Sequence, residues 1–70
     1  MMLNNNSYNI ITTLQNKSEA LNVYDKYIQD AQAVGSQECV ELFQRYQQRD
    51  QESVEELKQH VQMLVNNGKF

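Results

Sequence analysis

The sequence predicts an all-α protein: a long antiparallel two-helix hairpin that pairs with a second copy into a four-helix bundle. Four observations predict it. The 70 residues contain no proline and only two glycines, Gly35 and Gly68. Apolar residues recur at helical spacing through both halves, along Ile10, Leu14, Leu21, Tyr24, Ile28 and Ala31, and then along Val40, Phe43, Val54, Leu57, Val61 and Leu64. Alternating patterning is absent, so strands are not expected. The apolar arc of each half is also wider than one partner helix covers.

Each element follows in order. Residues 1–6, with Asn4, Asn5 and Asn6, are expected to form a flexible N-terminus. Ser7 is a suitable N-cap type, so the first helix is placed at about 7–34. Gly35 suits a left-handed position after a helix, and Ser36 can cap the next one. The second helix is placed at about 36–66, with Glu38 in its first turn, where negative charge favours the helix dipole. Asn66-Asn67-Gly68 is a stop signal, and 68–70 are read as a tail. The single domain is then 7–67. Helices of about 27 and 30 residues are each ~40–45 Å long at 1.5 Å per residue, a length that suits a hairpin.

Both seams are interrupted by polar residues. Lys17 falls in the first, Gln47 and Asp50 in the second. Folding at Gly35-Ser36 brings Lys17 towards Asp50. The expected polar core layer is Lys17, Gln47, Asp50 and Ser53, with Tyr46 a turn away, completing the hydrogen bonds of the buried carboxylate. Such a layer fixes register more than it adds stability. Beside the seams, Val23, Tyr27 and Val34 widen the first apolar face, and Leu42 and Tyr46 widen the second. Val23, Tyr27, Leu42 and Tyr46 are therefore the expected homodimer interface.

Composition excludes several roles. A net charge of -3 and six scattered basic residues leave no basic stripe for a phosphate backbone, so no nucleic acid is expected. No apolar run approaches the ~20 residues that span a bilayer, so no membrane is expected. The N-terminal residues lack a signal-peptide pattern, and a cytoplasmic protein with Cys39 reduced is expected. One cysteine forms no internal disulfide, and no cysteine–histidine cluster has zinc spacing. A chain this short needs help to be stable, and oligomerisation is the help that remains.

The pattern resembles the ferritin-like and rubrerythrin-like diiron proteins. Their hairpins carry a metal-binding Glu, an aromatic seven residues on, a turn glycine, a Phe, and a Glu-x-x-His pair. Here Lys17 stands at the Glu position, Tyr24 at the aromatic, Gly35 at the turn, Phe43 at the Phe, and Asp50-Gln51-Glu52-Ser53 at the pair. The resemblance implies a ferritin-like four-helix arrangement and a symmetric dimer. The departures remove the diiron chemistry: Lys17 repels a metal, and Ser53 replaces imidazole. Lys17 and Asp50 then form an ion-pair layer where the family holds metal.

Other candidate groups have bland accounts. Glu52, Glu56 and His60 follow one another at helical-turn spacing and, with Asp50, are the remaining ligands for iron or manganese; the favoured account is a solvated helix face. Cys39, in the first turn of the second helix, is expected to be a small buried residue on the seam edge rather than a redox group. Tyr8, Tyr24, Tyr27 and Tyr46 are expected to pack at an interface. The expected function is non-enzymatic: a small structural, interaction or regulatory module that self-associates, with no cofactor. A metal-binding ferritin-like protein is the alternative. An adaptor that exchanges hairpins with a larger protein partner is a third reading.

Overall fold

A computed structural model describes residues 4–70. It consists of two helices, α1 over Asn5–Ala33 and α2 over Gln37–Asn66, with no strand among the described residues. They pack against each other as an antiparallel hairpin, a rod of 50 × 18 × 12 Å.

The first helix begins earlier than Ser7 suggests. Asn4 is its N-cap, with an extended backbone and a side-chain oxygen that accepts from the Ser7 N–H at 2.8 Å. Asn4, Asn5 and Asn6 are thus cap and first turn rather than a flexible segment; residues 1–3 of that expected segment lie outside the described residues. Asparagine and serine cap about equally well, and the Ser7 hydroxyl is engaged elsewhere. It donates to the Phe70 backbone carbonyl at 2.7 Å, and Ser7 is fully buried. The supposed tail is therefore docked. Phe70 returns to the start of α1 and closes the open end of the hairpin, where Asn4 Nδ2 also approaches the same carbonyl at 3.5 Å.

Both helices end in the same way. After α1, the Gly35 N–H donates to Gln32 at 3.0 Å and the Ser36 N–H to Ala31 at 2.9 Å. After α2, the Gly68 N–H donates to Val65 at 3.1 Å and the Lys69 N–H to Leu64 at 2.8 Å. This paired closure needs a left-handed residue, and Gly35 and Gly68 supply φ of +72° and +68°. Ser36 then accepts from the Cys39 N–H at 3.4 Å as the N-cap of α2, which starts at Gln37 rather than at Ser36 itself. One residue closes one helix and opens the next, so the connection is tight.

The seams meet as the spacing predicts. Every apolar seam residue is buried or half-buried, with Ala31, Val40, Val54 and Leu64 the most enclosed. Lys17, Gln47 and Asp50 are half-buried in the same rows. Fully buried apolar side chains are few, as expected of a rod only two helices thick.

Candidate functional site

Asp50 anchors the polar interruption of the core. The antiparallel register sets it between Lys17 and Tyr24, which lie two turns apart on α1. The Tyr24 hydroxyl donates to Asp50 Oδ2 at 2.6 Å, and Lys17 Nζ stands 3.6 Å from Oδ1. The two contacts differ in strength. A hydroxyl at 2.6 Å from a carboxylate is a short charge-assisted bond, worth about 1.5–3 kcal/mol. The lysine is farther away and its side chain is 44% exposed, against 16% for Asp50. Exposed pairs of this kind contribute about 0–1 kcal/mol. Tyr24 is thus the principal partner of Asp50. The same bond pushes the Tyr24 hydroxyl up to about 12, because ionisation would remove the donor; burial and the negative charge of Asp50 act in the same direction.

Lys17 and Asp50 come together. Ser53 lines the same shallow hollow of about 260 Å³, with Tyr46 and Arg49. Gln47 does not join them: its amide donates to Asp25 Oδ1 at 3.1 Å. Tyr24 takes the role that spacing gave to Gln47. Its hydroxyl, in an otherwise largely aliphatic seam and seven residues from Lys17, was the available signal. The Ser7–Phe70 closure had no comparable signal, since it joins residues at opposite ends of the described chain.

The residues expected at an interface lie largely open. Val23, Tyr27 and Tyr46 are 40%, 43% and 45% exposed, and Leu42 is half-buried. The Tyr27 ring is set edge-on to Tyr24 at 6.4 Å and tilted against Phe43 at 5.5 Å. Beyond it, an open apolar groove of about 380 Å³ runs past Ala31 and Val34 to Cys39. The Arg49 guanidinium lies 5.6 Å over the Tyr46 ring. Cys39 is exposed, contrary to the expectation of a buried seam-edge residue. The reason is its place one turn before Leu42 on the uncovered face rather than in the seam.

The candidate metal ligands do not converge. Asp50 is engaged by Tyr24 and Lys17. Glu52 accepts from the Gln48 amide at 3.0 Å, and Glu56 and His60 are exposed along α2. Among the described residues, no three His, Cys, Asp or Glu side chains are grouped to hold a metal ion. A metal there would have to draw ligands from a second chain. No helix among the described residues is long and apolar enough to cross a membrane.

Compared with protein-family models, curated proteins and solved structures, the chain matches none.

Proposed function

We propose that this hairpin is a non-enzymatic interaction module that self-associates, two copies packing helices against helices. The observation that carries the reading is the open apolar stripe of Val23, Tyr27 and Tyr46 beside a thin core. Area supports it. The chain exposes 5427 Å², whereas a compact monomer of its 8.2 kDa exposes about 4,500 Å². The excess is close to the ~800 Å² that each partner gives up in a standard interface.

The use of Asp50 supports a non-catalytic role. Both of its oxygens are taken up by groups of its own hairpin, which suits a structural anchor better than a general base. The ferritin-like resemblance enters in the same sense: the bundle is kept, and Lys17, Tyr24 and Asp50 take the place of a metal layer. An exposed lone thiol at Cys39 fits a reducing, cytoplasmic setting, because an oxidising one invites intermolecular disulfides.

Sedimentation equilibrium tests the reading. A dimer mass at micromolar concentration is expected, reverting to monomer when Tyr27→Ser and Tyr46→Ser are combined. A folded monomer up to millimolar concentration in the unaltered chain would overturn it.

A further inference from the structure

We infer that the second copy docks antiparallel and fully overlapped, α2 lying on α2 about a two-fold axis that crosses the rods at Ser53. This rests on the self-association proposed above and fixes its arrangement. The open stripe of α2 is regular: from Leu42 to Met63 its residues recur alternately four and three apart, the spacing of a coiled-coil seam. Ser53 stands at its centre, near the middle of Gln37–Asn66, with Arg49 and Glu56 one turn to either side. Tyr46 and His60 follow at two turns, Leu42 and Met63 at three. Turned end for end onto its copy, Ser53 meets Ser53, Arg49 meets Glu56, Tyr46 meets His60 and Leu42 meets Met63. A small residue lies on the axis, opposite charges flank it, and apolar side chains close each end. Tyr46 and Met63 are each 45% exposed, so both ends have surface to cover.

Unpaired charge points to the same occupant. Among the described residues neither Arg49 nor Glu56 has an ion-pair partner. Arg49 and Ser53 line the shallow hollow beside Asp50, whose carboxylate is already held by Tyr24 and Lys17. The hollow therefore carries surplus positive charge, and Glu56 of the other copy arrives level with Arg49. The pair forms twice, since a two-fold interface presents one patch to itself.

The other face-to-face arrangement sets both turns at one end, with the axis along the rods and α1 on α2. It lays Val23 and Tyr27 on Leu42 and Tyr46, but charge opposes it. Tyr27 is level with Phe43 and Asp25 with Gln47, as their contacts show. Counted in that register, Glu19 stands level with Glu52, Lys26 with Arg45 and Asp30 with Glu41, all of them exposed. An axis along the rods keeps every residue at its level, so each of these meets a like charge on the other copy, twice. Such repeated like-charge encounters suppress that arrangement. The crossed axis covers the same apolar side chains without them, laying Val23 on Thr13 and Tyr27 on Asn9 of the other copy. The Thr13 hydroxyl already donates to the Asn9 carbonyl at 2.8 Å, so Val23 strands no donor there. The one like-charge encounter left, Glu52 with Glu52 beside the axis, lies between the Arg49 side chains of both copies.

Disulfide trapping on the full chain tests the axis, with Cys39→Ser removing the native thiol. Antiparallel helices packed ~8–10 Å apart bring seam residues on the axis to a Cα separation of about 5–6 Å, the span of a disulfide. Under mild oxidation, Ser53→Cys should therefore link to itself at least about tenfold faster than Gln48→Cys on the outer side of α2. Mixed with an Ala20→Cys chain it should still link to itself; turns at one end would join the two variants instead. Arg49→Glu and Glu56→Arg should each weaken dimerisation roughly five- to tenfold, because the pair occurs twice, and the double variant should recover most of the loss. Unchanged helicity by circular dichroism confirms that the variants fold. In a chain of dimer mass, trapping at Ser53 no faster than at Gln48, or a link to position 20 in its place, would leave self-association standing and overturn the crossed axis. So would a double charge variant no tighter than the singles. A monomer mass at every concentration would overturn both.

Discussion

At the level of single residues, Asp50 shows how a carboxylate is kept in an apolar seam. Burial penalises its charge, and two groups on the opposite helix offset that penalty. The short bond from Tyr24 outweighs the long, exposed contact with Lys17. Tyr24→Phe should therefore destabilise the protein by about 1.5–3 kcal/mol in urea unfolding, and Lys17→Met by no more than ~1 kcal/mol. Reversal of that order would mean that charge, not the hydroxyl, holds Asp50. The pH dependence follows from the same bond. Tyr24 has its pKa raised in the folded state from 10.0 to about 12. The stability it contributes is fully present below pH 10 and is lost as pH rises through 12. Absorbance titration should show a tyrosinate component near 12 that Tyr24→Phe abolishes and Asp50→Asn moves down towards 10. The lysine–aspartate contact was legible because both residues break an apolar repeat at heights that a turn at Gly35 brings near each other. The tyrosine was less legible, since an aromatic ring in a seam reads as packing and its hydroxyl gives no pattern. Gln47 misled for the opposite reason. It occupies a seam position, but its long side chain swings to Asp25 and leaves Asp50 to a group that reaches it directly.

At the level of elements, the turn was the most legible feature and the two ends were the least. Gly35 followed by Ser36 admits one economical reading: a left-handed closure whose next residue caps the following helix. A Cβ at Gly35 would meet nothing within 4 Å, so Gly35→Ala tests backbone strain alone. It should cost about 1–2 kcal/mol, because a left-handed L-residue is strained by that amount. Ser36→Ala should cost about 1 kcal/mol through loss of the α2 cap. Both are read as shifts of the thermal midpoint, and a neutral Gly35→Ala would show that the turn refolds around another conformation. The open end was harder to foresee. Three asparagines and a serine offer several equivalent caps, and the choice among them was made by a tertiary contact, the Ser7 hydroxyl on the Phe70 carbonyl. Local sequence holds no trace of such a contact. The seams themselves needed no tertiary knowledge, because their spacing of three and four residues already names the buried face.

For the molecule as a whole, the thin rod and the open stripe give the proposed self-association one thermodynamic consequence: if two copies pair, stability depends on concentration. A hairpin two helices thick encloses few side chains, so in the proposed dimer a second copy would supply a large part of the burial. If folding and pairing are coupled, the midpoint of heat unfolding rises with protein concentration. A hundredfold rise adds about 2.7 kcal/mol per mole of dimer by mass action. Unfolding two chains releases an entropy of about 2.1 cal/mol/K per residue, so the midpoint should climb by roughly 9 °C. Calorimetry at about 5 and 500 µM would read that shift with little ambiguity. A midpoint that stays fixed across this range would mean that one hairpin is stable alone. The exposed rings of Tyr27 and Tyr46 would then need another partner to explain them. With the double serine variant at these positions the shift should vanish and the midpoint fall to a single lower value. Loss of the slope together with loss of stability distinguishes a shared core from incidental surface association.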